Sequence, residues 1–222
     1  MAQATLERVS ASYSAAVFGK GPVAIHAAQL LREDGAHIEL IVPSTVELSN
    51  QPSLRAWALS EGIPVATDSD LDVVGPLSAD LGISVFFDRI FRQRHIDQFG
   101  RLLNVHNSLL PRHRGVRPIN WALRSGDTRH GVTLHEIDAG VDTGAVLAQE
   151  SFHIDPATDE VADVYDRCLF AAELLLSRTV SQWRAMHATV QDESSATVHE
   201  SKDDELLGDR RYWRRTDTKF TL

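Results

Sequence analysis

The sequence predicts an α/β fold, a doubly wound, mostly parallel sheet with a short C-terminal extension. Three observations predict it. Short apolar runs alternate with helix-patterned stretches over roughly the first 130 of 222 residues. One run, ISVFF at Ile83–Phe87, is apolar throughout, as a strand covered on both faces must be. The joins between runs and helices carry Gly and Pro, which punctuate local structure.

The elements follow in order. YSAAVF (Tyr13–Phe18) reads as the first strand, GKGP as a turn, and Pro22 opens a helix that Gly35 closes. HIELIVP (His37–Pro43) is a second strand, SLRAWALSEG a second helix and PVAT a short third strand. A weak helix is expected over Val73–Leu81, a fourth strand at ISVFF, a short helix at RQRHIDQFG and a fifth strand at LLNVH. Beyond residue 130, HGVTLHEI and AVLAQESFHI form two strands joined by DAGVDTG. Val161, Val164, Tyr165, Cys168, Leu169, Ala172, Leu175 and Leu176 recur at helical spacing and place one long helix over roughly 158–187. Residues 189–209 are polar and acidic and read as a linker, and the end, RRYWRRTDTKFTL, is basic with aromatics. The expected division is a main domain over 1–187 and an appendage over 188–222.

Composition bounds the function. With 43% hydrophobic and 24% charged residues, the chain can bury a full core. A net charge of −9 argues against an extended nucleic-acid surface. No run reaches the ~20 apolar residues of a membrane span, and MAQATLERVS has neither the charged start nor the apolar stretch of a signal peptide. Cys168 is the only cysteine, which removes disulfide frameworks and CxxC metal clips. A cytoplasmic protein without a membrane or nucleic-acid partner is the expectation.

The chemistry gathers in LLNVHNSLLPRHRGVRPINWAL. Asn104 and His106 lie two apart on a strand, so they share a face. Two polar groups there are costly in a core but sensible where a strand end opens on a site. DAGVDTG adds Asp138 and Asp142 flanked by Gly140 and Gly144, and His135 closes the preceding strand. An imidazole, a carboxylate and an amide suit proton transfer with a developing oxyanion. No GxSxG nucleophile is present, so direct acyl transfer is favoured. Each group also has an ordinary structural reading: a buried histidine, a turn-forming Asp. The spacing of His106, His113, His130 and His135 matches no zinc motif, and no metal is expected. GKGPVA imitates a dinucleotide fingerprint, but Glu39 sits mid-strand rather than at the strand end where a ribose-binding acid belongs. Lys20 in that turn could instead meet an anionic part of a substrate.

The words NVHNSLLP, RG, PINWAL, GVTLHEID and GVDTG occur in order and resemble the folate-dependent formyltransferase superfamily, whose core is Rossmann-like. The resemblance implies a catalytic Asn, His and Asp, matched by Asn104, His106 and Asp142, and a second site histidine, His135. It implies a folate pocket lined by Phe87, Asp88, Arg89 and Ile90, by Ser108, Leu109, Leu110 and Pro111, and by Val141. Asn107 departs from the pattern, standing where many relatives carry Pro or Gly. The implied donor is 10-formyltetrahydrofolate and the acceptor a primary amine. About 35 residues after the long helix and an acidic charge disfavour the methionyl-tRNA enzymes, and GKGP disfavours the glycinamide ribonucleotide enzymes. The best match is to the sugar-nucleotide N-formyltransferases, with a dTDP-linked amino-deoxysugar as acceptor. An amino-acid or carrier-bound amine is the alternative, and a non-catalytic folate-binding protein a distant third. Lys20, Arg112, Arg114 and Arg117 are the cations expected near a diphosphate. Monomer and homodimer are both left open.

Overall fold

A computed structural model describes residues 12–47, 50–66, 71–74 and 76–208. Six strands form one sheet: β1 (Tyr13–Gly19), β2 (Ala36–Pro43), β3 (Ala79–Val85), β4 (Phe99–His106), β6 (Arg129–Glu136) and β7 (Val146–His153). Their order is β2-β1-β3-β4-β6-β7. The first four run parallel, whereas β6 pairs antiparallel with both β4 and β7. A separate two-residue strand, β5 (Arg114–Gly115), pairs with β8 (Val198–His199). The helices are α1 (Gly21–Glu33), α2 (Leu54–Ser60), α3 (Leu71–Val74), α4 (Gln93–Ile96), α5 (Pro118–Arg124) and α6 (Val161–Thr179).

Alternation along β1 builds both layers. Ala15 and Val17 face a large core with Val23, Ala27 and Leu31 of α1 and Val164, Cys168, Ala172 and Leu175 of α6. Ala16 and Phe18 face a smaller core with Leu71, Phe91 and Leu102. There the Phe18 ring meets Phe87, Phe91 and Phe99 at centroid distances of 5.7, 5.0 and 5.8 Å. Apolar burial on both faces explains why the central strands are largely apolar, with Ser84, Asn104 and His106 as polar groups toward the strand ends.

Four expectations are corrected. PVAT is no sheet strand: Ile41 brackets it with two hydrogen bonds, to the Pro64 carbonyl and from the Ala66 amide, giving one isolated bridge at Val65. Pro64 has no N–H with which to extend the ladder. The helix over 73–81 shrinks to the four residues of α3, and β3 begins at Ala79. Gly82 disguised that strand; it is glycine because a Cβ would collide with Leu102. The strand stops at Val85 because Phe86 turns to φ 53°. The long helix ends at Thr179 in a 3-10 turn over Val180–Gln182, after which Trp183 buries and its carbonyl accepts from Arg101 at 2.5 Å.

The acidic stretch after this turn is folded against the body. It carries 3-10 turns at Glu193–Ser195 and Ser201–Leu207 and the strand β8, and it buries Gln191 and Leu207. The basic, aromatic tail from residue 210 lies outside the described residues. Among the described residues no helix is long and apolar enough to cross a membrane.

Candidate active site

The register of three strands aligns three polar groups. Ser84 on β3 pairs with Asn104 on β4, and Asn104 pairs with His135 on β6. Their side chains form a chain of hydrogen bonds. His135 Nδ1 lies 2.8 Å from the Glu136 carbonyl, which can only accept, so Nδ1 carries the proton and Nε2 is a bare acceptor. Asn104 Nδ2 therefore donates to His135 Nε2 at 3.1 Å, and the Ser84 hydroxyl donates to Asn104 Oδ1 at 2.8 Å. The amide is thus fixed with one N–H left for the cleft that Asn104 lines.

The same logic orients His106, which is buried at the end of β4. Its Nε2 donates to the His113 carbonyl at 2.8 Å, so only the Nδ1 edge remains for chemistry. That edge faces Asp142 Oδ2 at 3.5 Å, while Oδ1 lies 3.5 Å from His135 Nε2. Asp142 Oδ2 also accepts from the Gly115 amide at 2.8 Å. Burial pushes the Asp142 carboxyl up, but the His106 charge and the Gly115 amide outweigh it and hold the group far below the ordinary carboxylate range. The Asp142 carboxyl is therefore ionised beside the imidazole. Asp142 reaches this position with φ 52°, a left-handed conformation uncommon outside glycine. The glycine that follows closely is equally constrained, since a Cβ on Gly144 would collide with the Glu136 carbonyl.

The three groups open on a cleft of about 410 Å³ at the carboxyl ends of β1, β3 and β4. Phe87, Asp88, Arg89, Ile90, Val141, Lys20, Arg117 and His135 line it. Phe86, Phe91 and Ile137 extend an apolar wall there. Among the described residues, no group of three or more His, Cys, Asp or Glu could hold a metal ion.

Other expected residues do not line the cleft. Ser108 is fully buried and donates to the Arg112 carbonyl at 2.6 Å; Asn107, rather than Ser108–Pro111, reaches the cleft wall. Arg112 pairs with Asp127 at 2.7 Å. Arg114 is buried and held by Gln191 and Glu193. Arg117 lines the cleft but is gripped by both oxygens of Asp204, at 2.7 Å each. The partners of Arg114 and Arg117 lie 77 or more positions away, so local charge pattern could not have revealed them. Ser84 was missed as well, although a lone hydroxyl in the otherwise apolar ISVFF was a readable signal.

Residues 61–180, more than half of the chain, match the formyl transferase family model, and the chain belongs to that family. Among curated relatives, the methionyl-tRNA formyltransferase of Thermosynechococcus vestitus is 36% identical over 163 residues, covering 68% of this chain and 47% of that protein. The chain spans about half the length of the curated relatives it matches. Two solved structures share its fold. An N-formyltransferase from Helicobacter canadensis, in complex with folinic acid and dTDP-3-aminofucose, superposes with a TM-score of 0.74 at 25% identity, over 85% of this chain and 71% of that one. A sugar 3N-formyltransferase in the presence of dTDP and 5-N-formyl-THF gives 0.75 at 26% identity, over 86% and 70%.

Proposed function

We propose that the chain transfers a formyl group from 10-formyltetrahydrofolate to a primary amine. The single observation that carries this is the meeting of Asn104, His106 and Asp142 at one strand end, in a chain of the formyl transferase family. The apolar wall of Phe86, Phe87, Ile90 and Val141 suits the flat ring system of a reduced folate, and a cleft of about 410 Å³ is within the range of small-molecule sites.

In this reading the acceptor nitrogen attacks the formyl carbon, a C–N bond forms and the carbonyl pair moves onto oxygen. The remaining N–H of Asn104 donates to that oxyanion, and the protonated Nδ1 edge of His106 supplies the second donor. Asp142, held ionised, pairs with the His106 imidazole and helps relay the proton that the amine sheds toward the donor nitrogen. The tetrahedral centre then collapses, the bond to the donor nitrogen breaks, and that nitrogen receives the proton, so the chain ends the cycle unchanged. Ser84 and His135 hold the Asn104 amide in place through the hydrogen bonds described above.

The proposed acceptor is a dTDP-linked amino-deoxysugar. Supporting it are the likeness to two sugar N-formyltransferase structures, one of them with dTDP-3-aminofucose, and a cleft that holds Lys20 and Arg117. Burial lowers the Lys20 pKa and Asp88 opposes that shift, and a phosphate at Lys20 would favour the charged ammonium further. A second reading, transfer to methionyl-tRNA, is favoured by the curated relatives at 36% identity. Turnover of a dTDP-amino sugar, initiator methionyl-tRNA, glycinamide ribonucleotide and ornithine, compared under one set of conditions, separates them. The sugar should be formylated at least ten times faster than the others; faster formylation of the tRNA moves the assignment to the second reading.

A further inference from the structure

The segment after α6 lies beyond the residues matched to the family, yet it holds both halves of the acid–base pair. Gln191 is its centre. The side chain is buried, and both ends of its amide are used. Nε2 donates to the carbonyls of Asp142 at 2.8 Å and Gly144 at 2.7 Å. Oε1 accepts from Arg114 Nε at 3.0 Å and Nη2 at 2.8 Å. Arg114 in turn begins β5, whose next residue, Gly115, gives its amide to the Asp142 carboxylate. Gln191 therefore grips Asp142 twice, directly through its carbonyl and indirectly through the strand that donates to its side chain.

The rest of the segment fixes the partner imidazole. Thr197 Oγ1 accepts from the His113 amide at 2.7 Å, the Thr197 carbonyl accepts from the Arg114 amide at 2.9 Å, and β8 pairs with β5. His113 stands at φ 57° and presents the carbonyl that receives His106 Nε2. Two non-glycine residues in left-handed backbone, Asp142 and His113, thus meet the two ring nitrogens of His106, and both are tied to residues 191–199. Such conformations persist only where the surroundings impose them.

We infer that Gln191 is a positioning residue for the transfer reaction, holding Asp142 against His106 while touching neither substrate. This rests on the assignment of Asn104, His106 and Asp142 as the transfer site. The test compares the native chain with Gln191→Met, which keeps the length but loses all four hydrogen bonds. Val190→Ser, at a neighbouring exposed position, is the control. Two readouts are taken, steady-state kinetics and the titration of the Asp142 carboxyl carbon by NMR.

In folded Gln191→Met, kcat should fall on the order of 10²-fold, because small misplacement of a reacting group has that cost. KM for donor and acceptor should stay within about threefold, since neither substrate touches Gln191. The Asp142 carboxyl should titrate at higher pH than in the native chain, as the His106 and Gly115 contacts that hold it down loosen. Should Gln191→Met fail to fold, Gln191→Glu takes its place: it keeps acceptors for Arg114 but loses both donors to the 142–144 loop, and the same two changes are expected. A folded variant with native kcat and an unmoved Asp142 titration overturns the inference. So does an equal loss in Val190→Ser, or unfolding of both Gln191 variants, which would make Gln191 a residue of the fold. If the native chain formylates no acceptor, the functional assignment fails, while the carboxyl titration still decides whether Gln191 holds Asp142.

Discussion

At the scale of single residues, the site depends on hydrogen bonds that leave one orientation for each group. Asn104→Ala removes the proposed oxyanion donor and should lower kcat on the order of 10²- to 10³-fold. His106→Ala and Asp142→Ala should be at least as severe, and the double variant should be little worse than either, because the pair acts on one transition state. Kinetics of the four proteins at saturating donor check this; additive losses would mean the two groups act separately. Ser84→Ala frees Asn104 Oδ1 and should cost a smaller factor, roughly 3- to 30-fold for one neutral hydrogen bond of about 1 kcal/mol or somewhat more. Asn104 and His106 were legible as a pair because strand periodicity puts them on one face; the glycine-containing loop offered Asp138 and Asp142 alike, and the family resemblance singled out Asp142. Their orientation was not legible. It comes from carbonyls of Glu136 and His113, and backbone acceptors leave no trace in a pattern of side chains.

At the scale of elements, the strand-helix alternation was readable wherever an element buries a full face, as β1, α1, β4 and α6 do. It failed where one glycine or proline was read by habit. Gly82 lies inside β3, which starts four residues before the expected Ile83, and PVAT, opened by Pro64, makes one isolated bridge at Val65. The acidic stretch was misleading for a different reason. Its composition is that of a solvated linker, yet the distant pairs of Arg114 with Glu193 and Arg117 with Asp204, the Gln191 and Thr197 hydrogen bonds and the β5–β8 pairing bring it down onto the body. The loop between β6 and β7 gives a sharper check. Gly144→Ala places a methyl against the Glu136 carbonyl, whereas the same substitution at Gly126 meets open space and strains only its φ of +75°. Thermal melts should show Gly144→Ala losing several times more stability than Gly126→Ala, with activity abolished only in the former. Equal shifts would mean that the loop yields and the close approach is not required.

At the scale of the whole molecule, histidine burial makes the fold sensitive to acid. His130 is buried with Nε2 lacking a hydrogen-bond partner and stands beside His113, His106, Asp127 and the Phe152 ring. Burial, aided by the His113 charge, lowers its pKa from 6.5 to about 3. The folded state thus stays neutral there while the unfolded chain takes up a proton below about pH 6.5. Stability is full above that pH and falls as pH drops toward 3, by up to about 1.4 kcal/mol per pH unit from this group. His130→Met should flatten the decline between pH 6.5 and 4 in denaturant melts; an unchanged decline would place the sensitivity elsewhere. The larger claim is that this molecule is built around one reaction at the end of β4. Its most direct measurement is isotope tracing with 10-formyltetrahydrofolate labelled at the formyl carbon and a dTDP-linked amino sugar, for the native chain and Asp142→Asn. The account predicts label on the sugar nitrogen, one tetrahydrofolate released per label transferred, and almost none from the variant. Unlabelled sugar in the native reaction, or equal labelling by the variant, would contradict it.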